Sequence, residues 1–162
     1  MYRGDKRNNP GRDKRKEKNM IAIGCDHGGY ELKEMVVAHL QKNGYEVKDV
    51  GCYSKDSVDY PAMGHAVGKT VVAGECEKGI VICTTGIGIS ISANKIKGVR
   101  CALCGDSFSA KMTRLHNDAN VLAMGAGIVG GNLALEIVDV FLGTEFSGEE
   151  RHQRRIDLIE SI

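Results

Sequence analysis

The chain has 162 residues, 42% of them apolar, with 21 glycines, 2 prolines and a formal net charge of +1. It is long enough to bury one core and too short for two ordinary domains. No apolar run approaches the roughly 18 residues of a membrane span and no apolar signal segment opens the chain, so a soluble, cytoplasmic protein without a membrane partner is expected. Residues 1–19 carry 8 Lys/Arg against 3 Asp/Glu, leaving 14 against 18 in the rest. Such a basic tail has little to bury and is expected to be disordered, ahead of a single domain over 20–162. It reads as a solvated extension or, less commonly, as a nucleic-acid arm; no nucleic-acid partner is expected.

From Met20 the pattern alternates. The run 20–25 reads as a strand, 30–44 as an amphipathic helix closed by Gly44, and 45–51 as a second strand. A helix follows over 61–74 with Pro61 near its start, then a short buried strand over 79–83. A third helix is expected from near Gly86, a strand over 99–104, a helix over 107–117 and a fifth strand over 119–125. Helices over 132–143 and 149–162 complete the chain. Strands separated by helices predict an α/β fold, a three-layer αβα sandwich around a five-stranded parallel Rossmann-like sheet. Ligands bind such sheets at the carboxyl ends of the strands. Asp26 and His27, the segment from Cys83 to Ser90, and His116 with Asn117 are expected to converge there as polar or glycine-rich exits from apolar runs.

The stretch "CTTGIGIS" (83–90) sets a thiol at the end of an apolar strand, before a glycine-rich loop. It matches neither the Walker loop nor the dinucleotide fingerprint, so a diphosphate ligand is disfavoured. The backbone N–H groups at a helix start there suit a smaller anion, and they should favour the Cys83 thiolate. The bland alternative makes Cys83 a small buried hydrophobe and the glycines packing residues. Near the C-terminus Arg151 and Arg155 are four apart and share a helical face with Leu158, Ile159 and Ile162, which suggests a core-facing stripe whose guanidinium pair fits a phosphate monoester. A solvated helix end is the alternative. His116 is either a helix-end cap or a catalytic group. Cys101 and Cys104 should face opposite sides of a strand, which argues against a redox or metal pair; the six cysteines show no zinc-ligand spacing, and a reducing compartment is the simplest setting.

Together "GCDHGG", "DYP", "GIVICTTGIGISISANK", "GVRCAL", "RLHNDANVLAMG" and "RHQRRID" resemble the type B ribose-5-phosphate isomerase family, within the group that includes allose-6-phosphate and galactose-6-phosphate isomerases. The resemblance runs in order from Met20 to Ile162. It implies aldose–ketose isomerisation of a phosphorylated sugar, ribose 5-phosphate foremost, with no metal and no cofactor. It makes Cys83 the base, the backbone of Thr84, Thr85, Gly86, Ile87 and Gly88 the anion site, and Thr85 a proton shuttle. His116 opens the sugar ring with Asp26 nearby, Asn117 holds sugar hydroxyls, and His27, Arg151 and Arg155 face the phosphate. A homodimer, paired further into a tetramer in some members, is implied, with each site drawing on both subunits. Two positions depart from the common pattern: Gly127 stands where many members carry an arginine, and Thr84 where glycine is frequent. A non-catalytic nucleotide-binding module on a similar sheet is the rival from another class.

Overall fold

Five short strands form one parallel sheet in the computed structural model, which describes residues 19–162. The disorder expected of the basic tail concerns residues 1–18, outside the described residues. The strands are β1 (Met20–Cys25), β2 (Glu46–Asp49), β3 (Lys78–Cys83), β4 (Cys101–Leu103) and β5 (Val121–Gly125), in the spatial order β2-β1-β3-β5-β4. β1, β3 and β5 are buried on both faces, which explains why they are apolar or glycine apart from Lys78 at the start of β3. The edge strands β2 and β4 are only partly covered and are shorter than their sequence patterns suggest. Val50 and Gly51 still hydrogen-bond to β1 beyond the end of β2, while Val99 turns back to donate to the Ile96 carbonyl.

The helices are α1 (Tyr30–Lys42), α2 (Tyr60–Val72), α3 (Ile87–Asn94), α4 (Ser107–Asn117), α5 (Gly131–Gly143) and α6 (Glu150–Glu160). One face of the sheet, through Ile21, Ile23, Ile80, Ile82, Leu122 and Met124, packs on Leu32, Val36 and Leu40 of α1, Ala110 of α4, and Ile137 and Phe141 of α5. Ala22, Val81, Cys83, Val121 and Ala123 on the other face pack on Val67 and Val71 of α2 and on Ile89 and Ala93 of α3. The three-layer sandwich follows. Cys104 belongs to the first face and Cys101 lies against the second, so they are not a pair.

From β1 the chain moves outward to β2, then crosses to β3 and continues the other way. The order therefore switches between β1 and β3, and the carboxyl ends of those two strands open into a crevice. Asp26 leaves β1 and Cys83 closes β3 at that point. α6 lies against α4 at the far end: Ser147 N–H donates to the Leu115 carbonyl at 3.3 Å, and Arg100, just before β4, pairs with Glu160 at 2.8 Å.

Candidate active site

Cys83 is 4% exposed and lies at the floor of a cavity of about 490 Å³ lined by Asp26, Tyr60, Thr84, Thr85, Ile87 and Ile91. Its sulfur accepts the Gly86 N–H at 3.0 Å, and the Thr85 hydroxyl oxygen accepts the Ile87 N–H at 3.2 Å. Both donors open α3. The sharp turn that aims them depends on Gly86, whose φ of +77° is left-handed and whose absent Cβ would stand 2.5 Å from Leu103 Cδ1. Gly88 leaves room for the Tyr60 ring, since a Cβ there would lie 2.5 Å from Tyr60 Cζ. The loop from which an anion site is expected places a thiol, a hydroxyl and the first-turn backbone of α3 around one small cavity.

Across the switch point, the Asp26 carboxylate is 6% exposed, and its Oδ1 accepts the Gly29 N–H at 3.1 Å to cap a one-turn helix over His27–Gly29. His27 is exposed, and its Nδ1 accepts the Val58 N–H at 3.2 Å. The neutral ring therefore carries its proton on Nε2, pointing a donor away from the loop. Thr84 is exposed on the same rim, and its carbonyl accepts the Gly127 N–H at 2.8 Å. A side chain at 127 would start 3.1 Å from that carbonyl.

The second group of expected residues is elsewhere. His116 and Asn117 were read as lying at the carboxyl ends of the strands; they end α4, and a crossover helix returns the chain to the amino ends of a parallel sheet. The Asn117 carbonyl accepts Arg100 Nε at 2.9 Å just before β4 begins. The length of β5, roughly 13 Å at the usual rise per residue, separates that end from Cys83. Arg151 and Arg155 project from α6 beside His116, both exposed, with Arg151 Nε held by Glu149 at 2.7 Å. Nor is their stripe core-facing: Leu158, Ile159 and Ile162 are 66%, 54% and 109% exposed, while His152 and Ile156 form the buried side of α6. A groove of about 670 Å³ between the α3 end, the start of β4 and Ile159 includes Asn117.

Sequence reasoning missed three neighbours of these groups. Tyr60 was read only as part of a motif, because its reach depends on Gly88 lacking a side chain. His152 and Ser147 were not singled out; His152 Nδ1 lies 2.6 Å from Ser147 Oγ, and its ring centroid lies 4.4 Å from that of His116. Burial and the adjoining His116 hold the His152 imidazole below its ordinary pKa. Among the described residues no three His, Cys, Asp or Glu side chains gather as a metal centre would require, and no helix is long and apolar enough to cross a membrane.

The chain that carries this thiol-floored cavity at the switch point of a parallel sheet is similar to known proteins. Residues 21–159 match the ribose/galactose isomerase family, and the chain belongs to it. It is 49% identical over 142 residues to ribose-5-phosphate isomerase B of Escherichia coli (strain K12), an alignment covering 88% of this chain and 95% of that protein. Among solved structures, ribose-5-phosphate isomerase B of Clostridium thermocellum superposes with a TM-score of 0.86 at 53% identity, covering 88% of this chain and 95% of that one. The ribose 5-phosphate isomerase of Thermotoga maritima gives a TM-score of 0.86 at 45% identity, covering 88% and 98% respectively.

Proposed function

We propose that this chain interconverts ribose 5-phosphate and ribulose 5-phosphate through an enediolate, with Cys83 as the base. The observation that carries the reading is the buried Cys83 sulfur, facing the start of α3 at the floor of the switch-point cavity. The Cys83 thiolate removes the proton from C2 of the open-chain aldose, and the electron pair moves through C1 onto its carbonyl oxygen. The backbone amides of the loop and helix start from Thr84 to Gly88 stabilise that oxyanion, Thr85 passes a proton between O1 and O2, and the Cys83 thiol returns its proton to C1 to give the ketose. A positioned base contributes about 10² to 10⁴ in rate and an oxyanion donor about 10² to 10³. This chemistry calls for neither a metal nor an organic cofactor.

Ring opening falls to His116 with Asp26 nearby, sugar hydroxyls to Asn117, and the phosphate to His27, Arg151 and Arg155. Those groups lie at two ends of one chain, so the proposal includes a homodimer in which each Cys83 cavity meets the partner's His116 end. Two-fold symmetry then creates two equal sites. Ile87 and Ile91 beside the cavity, Leu158 and Ile159 on α6 and Ile162 just past it support this arrangement, since all five are more than half exposed in the single chain.

The test follows ribose 5-phosphate conversion by the purified protein in chelator, beside Cys83→Ala, with allose 6-phosphate as the competing substrate. Turnover that persists in chelator and collapses in the variant is expected, with kcat/KM favouring the pentose. Absence of turnover in a folded dimer overturns the ribose assignment. Nucleotide binding that survives loss of Cys83 would support the non-catalytic rival instead.

A further inference from the structure

His152 is a 4% exposed imidazole that the chemistry above does not use. It sits on the first turn of α6 and meets the last turn of α4, where its ring is tilted 41° to that of His116 at a centroid distance of 4.4 Å. Its Nδ1 lies 2.6 Å from Ser147 Oγ. Ser147 is itself fixed, because its N–H donates to the Leu115 carbonyl at 3.3 Å and its Oγ accepts the Glu149 N–H at 3.2 Å. Oγ retains its own proton and a second lone pair, so it can pair with Nδ1 in either tautomer of the His152 ring. The Leu115 carbonyl is one residue from His116, so a single serine ties both the backbone before one histidine and the ring of the other.

From this geometry we infer that His152 is a positioning residue for His116, with Ser147 as its anchor, and that the pair sets the orientation in which His116 opens the sugar ring. The inference rests on the role proposed for His116. An exposed imidazole at a helix end samples several rotamers, and a packed neighbouring ring removes most of them. Misplacement of a catalytic group by about 1 Å costs about 10²-fold in rate, so the stack controls the ring-opening step without touching the sugar. The first-turn location of His152 also ties that control to the helix bearing Arg151 and Arg155.

A purely architectural role is separable by substrate form. Ribose 5-phosphate closes through O4 to a furanose and must be opened. Ribulose 5-phosphate has O5 esterified and stays open, so exchange of its C1 hydrogen with solvent deuterium needs only the Cys83 chemistry. For His152→Phe, which keeps a ring but loses the Nδ1 bond, ribose 5-phosphate conversion should fall about 100-fold while C1 exchange stays within about twofold. Ser147→Ala should reduce conversion about tenfold, and Ser147→Thr, which keeps the hydroxyl, should restore it. Equal losses of conversion and exchange in both His152→Phe and Ser147→Ala, or no loss in either, would overturn the inference. His116→Ala is the control: if it slows exchange as much as conversion, or if the unaltered protein does not convert ribose 5-phosphate, the underlying reading fails instead.

Discussion

Cys83 and Lys33 show how differently two buried polar side chains are used. Cys83 faces a cavity, so Cys83→Ala removes the proposed base with little packing cost; kcat for ribose 5-phosphate should drop by about 10² to 10⁴ with an unchanged circular dichroism spectrum. Lys33 lines neither the Cys83 cavity nor the groove that includes Asn117. Its ammonium is fully buried and donates to Asp49 Oδ2 at 2.6 Å and to the Cys52 carbonyl at 2.5 Å, tying α1 to the chain beyond β2. Burial alone would lower its pKa, but the Asp49 carboxylate outweighs burial and holds the Lys33 pKa above the ordinary 10.5. A raised pKa means that the contribution is complete below about pH 10.5 and is lost as pH rises through the folded value. Lys33→Met should cost about 2 kcal/mol or more in denaturant titrations at pH 7, and this difference should shrink as the pH rises beyond 10.5. Cys25 nearby, with its thiol pushed up to about 12 by burial and by Cys52, stays protonated across the working range and is no rival base.

Among the elements, α3 couples stability to the site most directly. Gly86 is its left-handed N-cap, and the Gly86 N–H meets the Cys83 sulfur. Gly86→Ala would force a Cβ to within 2.5 Å of Leu103 Cδ1 and 2.7 Å of the Met124 carbonyl carbon. Strain at a positive φ and overpacking together should cost about 2 to 4 kcal/mol, read as a lower denaturation midpoint. Activity should fall as well, because relief of the clash moves the donor off the sulfur. The start of this helix was legible from the glycine-rich spacing after an apolar strand. The short edge strands were less so, because β2 and β4 gain their pairing from one neighbour only, and local pattern does not say where that neighbour ends.

For the whole molecule, the proposed homodimer makes a prediction that no single-chain site can satisfy. Cys83→Ala and His116→Ala should each be nearly inactive as homodimers. Mixed and allowed to exchange subunits in equal amounts, half of the dimers carry one unaltered site, so about a quarter of the original activity should return. No recovery despite subunit exchange, followed by mass spectrometry of the intact dimers, would rule out a shared site. Dilution below the dissociation constant should abolish turnover in the unaltered protein for the same reason.

The sequence by itself determined the alternation of strands and helices, the parallel three-layer sandwich, and the Asp26–His27 and Cys83–Gly88 clusters, because hydrophobic period and glycine placement are local properties. Its motifs also pointed to the family that the comparisons then showed. Only the tertiary structure decided which end of the sheet each cluster occupies. His116 and Asn117 lie at a helix C-terminus, and an antiparallel crossover carries them to the amino edge, away from Cys83. The α6 stripe was legible as apolar, but a helical period reports that a face is hydrophobic and not what it meets; here it is exposed on the single chain. His152 and Tyr60 entered the sequence reading only inside motifs and Ser147 not at all, because their contacts run between elements and form only when the helices pack.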